Sequence, residues 1–437
     1  MSDGAQPLLG DDAGVKIRVE ILAGITTFLT MAYIVVVNPA ILAAAGMPKD
    51  ETFFATCLAS AAATVVMALW ARYPFALAPG MGLNAFFAYT VCGQMGVSWK
   101  AALAAVLVAG VVFLVLSIMG LREKFVAAVP KDLVRAIAAG IGLFIAFIGL
   151  ENAGIVVKSP ATLVTLGDLS APSTLVALGG LALTAGLAAA RVPGGVLVGI
   201  VATAIAAMAA GISPRPEAIV ALPSWPRETM GAAFFGLKEL LRPDMAVVVF
   251  TFLFLALFDT MGTLLALGYT VGCIGEDGRM PRISSAFAAD ATGSIIGAVF
   301  GTSTATTYIE SASGVVVDGR TGLTALVTAA LFLLTLPLLP LIAAVPAIAT
   351  SPALVVVGAM MFEGASAIRW KDPAVAIPAL VTILAMPATF NISNGLGMGF
   401  VLWVVTHLAA RRHRELRPAT YIVAAAFIVF FVLRSGG

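Results

Sequence analysis

The chain has 437 residues, of which 60% are apolar and 11% are charged, and its net charge is +2. Soluble domains carry about 25% charged residues, so these charges are too few to cover a soluble surface. The composition excludes an ordinary soluble enzyme, a disordered protein and a disulfide-rich secreted domain. Long continuous apolar runs exclude an outer-membrane barrel, whose strands alternate polar and apolar residues. A polytopic α-helical membrane protein remains, and its small net charge predicts no nucleic-acid partner.

The N-terminal residues and the cysteines predict no special chemistry. Residues 1–15 are polar and glycine-rich, without the basic start and apolar run of a signal peptide, and they predict a short soluble tail. Cys57, Cys92 and Cys273 are scattered without metal-ligand spacing and are interpreted as small apolar fillers. We expect neither a metal nor a cofactor.

Apolar runs long enough to cross a membrane follow one another along the chain, because a bilayer core about 30 Å thick needs roughly 20 helical residues. The first half contains seven such segments, near 18–44, 52–71, 75–93, 99–120, 132–156, 172–190 and 194–212. The polar stretch 213–243 predicts a linker outside the membrane. The second half contains seven more, near 245–272, 283–300, 302–316, 321–345, 351–367, 373–389 and 393–410. A shorter run at 419–433 is interpreted as a tilted or interfacial helix.

The distribution of Lys and Arg predicts the orientation, because positive charge favours the cytoplasmic side of short loops. With the N-terminus inside and fourteen spans, seventeen of these residues lie inside and seven lie outside, with Arg434 left aside. We therefore expect a multi-pass protein of the cytoplasmic (inner) membrane with both termini in the cytoplasm.

The third segment of each half is unusual in the same way. Segment 75–93 is short and interrupted by Pro79 and Gly80, and segment 302–316 is short, rich in Thr and Ser and bounded by glycines. Because each half has an odd number of segments, the second half must be inverted relative to the first. Paired, broken segments at corresponding positions are the best sequence pointer to a transporter's midplane site. The alternative interpretation is a pair of ordinary kinked helices.

Three acidic residues, Asp259, Asp290 and Glu310, lie deep within the predicted spans, and no Lys or Arg lies at that depth. An ionisable group inside a bilayer is costly and marks a functional site by default. Asn84 occupies the matching position in the broken third segment. If both broken segments are extended stretches that lead into short helices, Asn84 and Glu310 lie near the two helix N-termini.

These groups predict the chemistry of a ligand. Two carboxylates and an amide suit a small planar molecule rich in N–H donors and ring acceptors. Thr307 and Ser311 in the tenth segment are further candidate contacts. Phe86, Phe87 and Tyr308 either stack on such a ring or pack against the core or lipid. A cationic substrate is an alternative, but it leaves the amide without a role.

Three motifs in order carry a resemblance to a known family: PGMGLNAFFAYT at 79–90, LFDTMGTL at 257–264 and TSTATTYIESASGV at 302–315. With them the chain resembles, over nearly its whole length, the nucleobase–cation symporters of the nucleobase/ascorbate transporter superfamily. It is most similar to the azaguanine-type permease branch for adenine, guanine and hypoxanthine. The resemblance implies fourteen transmembrane segments in two inverted repeats of seven, with a short strand and a half-helix in segments 3 and 10.

The resemblance also implies two domains and a mechanism. A core domain would comprise 16–128 and 244–348, and a gate domain would comprise 129–212 and 349–437, with 213–243 as the linker between the two halves. Purine nucleobases would enter with protons by an elevator-like movement, often in a homodimer.

The family's site residues map onto this chain one by one. Asn84 matches the asparagine of the third segment, Asp259 the carboxylate of the FDT motif, and Glu310 the glutamate of the tenth segment. Asp290 matches the acid of the ninth segment that supports transport near the site. Many members of the branch carry a second acid three residues before Asp259, where this chain has Ala256. That departure leaves the proton acceptor and the substrate range open.

The resulting hypothesis is a proton-coupled purine symporter rather than an enzyme. Glu310 would accept purine N–H groups, Asn84 would read another edge, and Asp259 is the first candidate for protonation, with Glu310 and Asp290 as the others. Na⁺ is an alternative coupling ion. A pyrimidine or xanthine/urate transporter is the alternative within the superfamily. A sulfate or bicarbonate exchanger is disfavoured because the acids repel anions, and an intramembrane hydrolase is disfavoured because its motifs are absent.

Overall fold

The computed structural model describes residues 13–120, 129–216, 218–221, 225–274 and 280–435. Residues 1–12 of the predicted tail and residues 217 and 222–224 of the predicted linker lie outside the described residues. The described chain is almost entirely helical, in agreement with the predicted apolar segments.

The helices of the first half follow the apolar runs of the sequence. They are α1 (Ala13–Met31), α2 (Ile34–Ala43), α3 (Lys49–Val66, extended by a π-helical turn at Met67–Ala71), α4 (Met81–Ala85, extended by a π-helix at Phe86–Gln94), α5 (Trp99–Ile118), α6 (Lys131–Asn152), α7 (Pro172–Ala189) and α8 (Gly195–Ala209). An exposed hairpin of β2 (Val156–Ser159) and β3 (Leu163–Leu166) joins α6 to α7.

The second half begins with a short helix in the linker, α9 (Ala232–Gly236), followed by a 3₁₀ turn at Leu237–Leu241. The helices that follow are α10 (Pro243–Val271), α11 (Ile283–Phe300), α12 (Ser311–Val316), α13 (Gly322–Leu334), α14 (Leu339–Ala343), α15 (Ala347–Phe362), α16 (Pro373–Ala388), α17 (Ile392–Ala409) and α18 (Pro418–Ser435).

Within the described residues, ten helices are long and apolar enough to cross a membrane. Three further apolar helices are shorter, at Gly195–Ala209, Pro373–Ala388 and Pro418–Val432. The prediction of a polytopic α-helical membrane protein is confirmed.

Besides the broken segments 75–93 and 302–316, two of the predicted segments differ from continuous helices. The first, 18–44, is interrupted between Met31 and Ile34, and the segment 321–345 divides into α13, a 3₁₀ turn and α14. Pro337 and Pro340 lie at these later breaks, where a proline supplies no backbone N–H to continue the helix.

The two broken segments meet in a small antiparallel sheet. Strand β1 (Leu77–Pro79) pairs with β4 (Ala305–Thr307), and Ala78 lies opposite Thr306. All six residues of the two strands are buried. Each strand leads into a short helix, α4 or α12, as the resemblance implies.

The membrane helices pack in two groups. The first group contains α1 to α5 and α10 to α13, with α11 against α3 and α5, and α13 against α1 and α3. The second group contains α6, α7, α8, α15, α16 and α17, with α6 against α15 and α16. Contacts between the groups are fewer, and they include α4 with α6 and α2 with α15. The β1–β4 crossing lies inside the first group.

The linker is held against the first group at two points in its middle. The Glu51 carboxylate accepts hydrogen bonds from the backbone N–H groups of Glu228 and Thr229, each at 2.9 Å. The Ala221 N–H donates to the carbonyl of Pro337 at 3.0 Å. The described residues at these two points therefore lie against the first helix group.

Candidate functional site

The β1–β4 crossing places extended backbone inside the helix bundle, where each polar group needs a partner within the protein. Side chains from neighbouring helices supply these partners. The Thr64 hydroxyl accepts from the N–H of Leu77 at 2.9 Å and lies 3.1 Å from its carbonyl oxygen. The N–H of Ala76 donates to the Ser311 hydroxyl at 3.0 Å. The crossing is therefore a fully supported element of the protein rather than a loose loop.

Asp290 supports the same crossing from α11. Its carboxylate accepts from the backbone N–H of Thr307 at 2.6 Å, from the Thr307 hydroxyl at 2.7 Å and from the Thr260 hydroxyl at 2.5 Å. The Asp290 residue is fully buried. Its hydrogen bonds join α11 to strand β4 and to α10, on which Thr260 follows Asp259 directly.

Asp259 and Glu310 differ from Asp290 because they reach open space. Asp259 is exposed although it lies in the interior of α10, and Glu310 is half-buried at the start of α12. Thr306 of β4 is a side-chain hydrogen-bond partner of Asp259. The two acids lie close enough for their charges to interact, and neither forms an ion pair with a basic residue of the described chain.

Gly80 allows the chain to pass this closely beside Asp259. A Cβ atom at Gly80 would lie 2.8 Å from the Thr306 hydroxyl oxygen and 3.8 Å from Oδ2 of Asp259. Any side chain at this position would therefore displace Thr306 and fill the space in front of the carboxylate. The glycine that breaks the third segment also keeps this acid accessible.

Tyr33 is a partner of Glu310 that the sequence did not reveal. It lies at the interruption between α1 and α2, and its hydroxyl donates to Oε1 of Glu310 at 2.7 Å. Tyr33 is only 2% exposed, so its ring is fixed by packing. One oxygen of the Glu310 carboxylate is thereby held, while the residue stays partly open.

Asn84 is fully buried, and protein groups occupy its amide. Its Nδ2 donates to Oδ1 of Asn38 at 2.6 Å, and the hydroxyl of Ser303 donates to its Oδ1. The amide of Asn38 in turn donates to the hydroxyls of Thr56 and Thr302, at 2.7 and 2.8 Å. Direct reading of a purine edge by Asn84 stays a prediction, and in this state its amide joins the two broken segments.

The other predicted site residues form the frame of the crossing. Phe86 and Phe87 are fully buried, with ring centroids 4.8 and 6.4 Å from that of Phe252. Thr307 is hydrogen-bonded to Asp290, and Ser311 accepts from the backbone N–H of Ala76, which precedes β1. Tyr308 is 6% exposed and donates its hydroxyl to the carbonyl of Pro79 at 2.5 Å. The structure thus brings these residues together around the acids, with their side chains turned into the protein.

A cavity of about 1110 Å³ opens between the two helix groups, and its lining includes the residue before Asp259 but neither Asp259 nor Glu310. Its lining includes Phe258, Met261 and Gly262 of α10 on one side and residues of α6 and α17 on the other. Its mouth carries Asp132 with Arg135 and Arg369, at 3.2 and 2.8 Å. This mouth lies among the loops that the positive charges assign to the cytoplasmic side.

Polar residues of the two helix groups form hydrogen bonds to each other away from this cavity. Gln94, at the end of the π-helix that extends α4, donates to the carbonyl of Thr389 at 2.8 Å and accepts from Nδ2 of Asn391 at 2.9 Å. The N–H of Ile392 donates to the Thr90 hydroxyl at 3.3 Å. We call this set the Gln94 contact. It lies among the loops that the charge distribution assigns to the outside.

The comparisons with known proteins identify the family. Residues 18–433 match the family model Xan_ur_permease, whose description is "Permease family". The chain belongs to the nucleobase/ascorbate transporter family. It is a permease, a transporter rather than an enzyme.

Two relatives within this family match nearly end to end. The guanine/hypoxanthine permease PbuG of Bacillus subtilis (strain 168) is 42% identical over 431 residues, covering 97% of this chain and 98% of the relative. The adenine permease AdeP of Escherichia coli (strain K12) is 40% identical over 419 residues, covering 96% of this chain and 94% of the relative. The resemblance found from the three motifs is confirmed.

The fold of this family member is shared with solved transporters of low sequence identity. The transmembrane domain of the cyanobacterial bicarbonate transporter BicA superposes with a TM-score of 0.61 at 16% identity, covering 91% of this chain and 98% of that domain. At this identity the likeness shows the fold alone.

Several site residues gave no signal in the sequence. Asn38, Thr56 and Thr64 are single polar residues of helices, and such residues usually bond within their own helix. Tyr33 lies at the break between α1 and α2. The partners that connect these residues to the site lie on other elements, as with Tyr33 and Glu310. A hydroxyl facing the inside of a helix bundle is visible only once the neighbouring helices are in place.

Proposed function

We propose that this permease is a proton-coupled symporter that imports purine nucleobases such as adenine, guanine and hypoxanthine. The observation that carries the proposal is the pair Asp259 and Glu310, two acids in the interior of the helix bundle that reach open space without a basic partner among the described residues. The names of the relatives PbuG and AdeP support the substrate class.

The two acids suit a purine because a carboxylate accepts N–H groups, and a purine presents N–H groups along its edge. Glu310 would accept them with the oxygen that Tyr33 leaves free. Asn84, Phe86, Phe87, Thr307 and Ser311 would hold the frame of this site in the state described here. A contact of Asn84 with the purine would need the amide to leave Asn38 or Ser303 in another state.

Asp259 would carry the coupled proton, with Glu310 as the second candidate. A carboxylate inside a helix bundle, without a cation beside it, is able to take up a proton. Protonation removes a charge that would be costly to move past the apolar second helix group. Asp290, which is saturated with donors, would contribute by positioning Thr260 and β4 rather than by binding the proton. Na⁺ would replace the proton as the coupled ion only if several oxygen ligands surrounded it.

The two helix groups support an elevator-like alternating access. The first group, with the acids and the crossing, would be the core domain (16–128 and 244–348), and the second would be the gate domain (129–212 and 349–437). The cavity between them opens on one side, and the Gln94 contact closes them on the other. This state would be open to the cytoplasm.

The same proposal includes the arrangement in the membrane. Fourteen segments would form two inverted repeats, with the β1–β4 pair at the point where the repeats meet. Both termini would lie in the cytoplasm, in the cytoplasmic membrane, and two chains would form a homodimer.

Ligand-induced thermal stabilisation tests the substrate class. A ligand that binds only the folded protein raises its stability by RT ln(1 + [L]/Kd). We expect hypoxanthine, guanine or adenine to raise the melting temperature of the purified protein, while uracil, xanthine, sulfate and bicarbonate do not. Stabilisation by uracil or xanthine alone would assign a pyrimidine or xanthine/urate transporter instead, and stabilisation by an anion alone would assign an exchanger.

A further inference from the structure

The interior of the first helix group contains a buried amide that the proposed mechanism does not use. Asn38 lies in α2 and is fully buried. We propose that Asn38 is a positioning residue that sets the geometry of the purine site through Asn84 and the segment before β4. The inference rests on the proposed function, and it assigns a role to a residue outside the three family motifs.

Asn38 forms hydrogen bonds to three other parts of the chain through its oxygen and both of its amide N–H groups. Its Oδ1 accepts from Asn84 on α4, and its two N–H groups donate to Thr56 on α3 and to Thr302 before β4. An amide side chain has two donors and a carbonyl acceptor. Each of them has a partner at 2.6 to 2.8 Å.

The bonds have a direction that fixes the amide in one orientation. The hydroxyl of Thr56 donates to the carbonyl of Thr52 at 2.6 Å, so it presents a lone pair to Asn38. Asn38 can therefore offer only its oxygen to Asn84. The oxygen of Asn84 then accepts from the hydroxyl of Ser303. The next residue, Thr304, accepts from the N–H of Gly80 through its carbonyl at 2.9 Å.

This chain of bonds ends at the site. Gly80 lies directly in front of Asp259, and β4 leads to Glu310 through Tyr308 and Ile309. A change at Asn38 would therefore alter the spacing between the two broken segments, and with it the distance between the two acids. A purine that contacts both acids would then bind with lower affinity. A substitution that affects folding alone would leave the purine affinity of the folded fraction unchanged.

A matched pair of threonines separates these possibilities. Thr56 and Thr184 are both fully buried, and each donates its hydroxyl to a carbonyl four residues earlier, at 2.6 and 2.7 Å. Thr56 also accepts from Asn38, whereas Thr184 lies on α7 in the second helix group. The variants Thr56→Val and Thr184→Val therefore remove the same local bond, and only the first removes an acceptor of Asn38.

The experiment measures hypoxanthine affinity by calorimetry and the melting temperature for the wild type and four variants. We expect Asn38→Leu and Thr56→Val to raise the Kd about tenfold, the order of one lost buried hydrogen bond. Thr56→Ser keeps the hydroxyl and should restore the wild-type Kd. Thr184→Val should keep the wild-type Kd even where its melting temperature falls as far as that of Thr56→Val.

The outcomes distinguish this inference from the proposed function. A wild-type protein that binds no purine overturns the proposed function itself. A wild-type protein that binds purine, together with Asn38→Leu and Thr56→Val proteins that bind it equally well, overturns the positioning role. If Thr184→Val weakens binding as much as Thr56→Val, the effect is one of general stability and the inference is again wrong.

Discussion

At the scale of single residues, Tyr33 and Glu310 form the most specific contact of the site. A hydrogen bond to a charged group contributes about 1.5–3 kcal/mol, and Tyr33 holds one of the two Glu310 oxygens at 2.7 Å. Tyr33→Phe leaves the ring and its packing and removes only this bond. We expect purine affinity to fall by about tenfold or more, measured as the Kd for hypoxanthine.

The control for this prediction is Tyr421→Phe, on the exposed side of α18, which should leave the Kd unchanged. Tyr33→Phe protein that binds hypoxanthine as tightly as the wild type would mean that Glu310 needs no orientation from α1, and the site would have to be described without Tyr33.

The sequence revealed the acids of the site because carboxylates are rare in apolar spans. Asp259, Asp290 and Glu310 were found on that ground, yet the sequence could not separate them. Asp290 differs from the other two because it is fully buried and bonded to Thr260 and Thr307, and these contacts depend on how α10, α11 and β4 pack. The position of an acidic residue deep in a span predicts that it is functionally important, whereas its hydrogen-bond partners determine its role.

At the scale of elements, Asp290 should act through the strand that it holds. Asp290→Leu would leave the buried N–H of Thr307 and two hydroxyls without an acceptor, and an unsatisfied buried donor costs about 1–3 kcal/mol. We expect a clearly lower melting temperature and weaker purine binding. Asp290→Asn keeps a carbonyl oxygen for Thr307 and should retain both properties in large part.

The Asp290→Asn variant also tests whether Asp290 carries the proton. Purine accumulation by Asp290→Asn that still follows an imposed pH gradient agrees with a positioning role. Loss of the pH dependence in Asp290→Asn, with purine binding intact, would instead make Asp290 the proton carrier.

The elements themselves were partly predictable. Pro79 and Gly80 revealed that the third segment is broken, and the apolar runs revealed most helix positions. The pairing of β1 with β4 could not be predicted, because its partners lie in opposite halves of the chain and each strand has three residues. The direction of Phe86 and Phe87 was hidden for another reason: they begin a π-helix, whose wider turn changes which face each residue occupies.

At the scale of the whole molecule, the Gln94 contact should hold the outer side closed. Gln94→Ala removes the bonds to Thr389 and Asn391. Ser393→Cys supplies a reporter cysteine at the buried start of α17. We expect a membrane-impermeant maleimide to label this cysteine about threefold faster or more when Gln94→Ala is also present. Ser98 lies on the same side without contacting α17. In a protein that carries Ser98→Ala, the reporter cysteine should therefore be labelled at the same rate as without that change.

An unchanged labelling rate in Gln94→Ala would contradict the assignment of this contact as the outer closure. Faster labelling in both variants would indicate a general loosening of the first helix group. An ion pair outside the cavity lining is expected to be insensitive to these changes. Arg412 hydrogen-bonds Asp372 and holds the pKa of that carboxyl below its usual value, so this ion pair persists across neutral and mildly acidic pH.

The central claim is that purine moves with a proton through the Asp259 and Glu310 site. Uptake of radiolabelled hypoxanthine into proteoliposomes, with and without an imposed inward proton gradient, tests it most directly. The account predicts accumulation above the outside concentration only with the gradient, and Asp259→Asn protein that binds or exchanges purine but no longer accumulates it. Uptake by the wild type that ignores the gradient, or gradient-driven accumulation by Asp259→Asn, would contradict it.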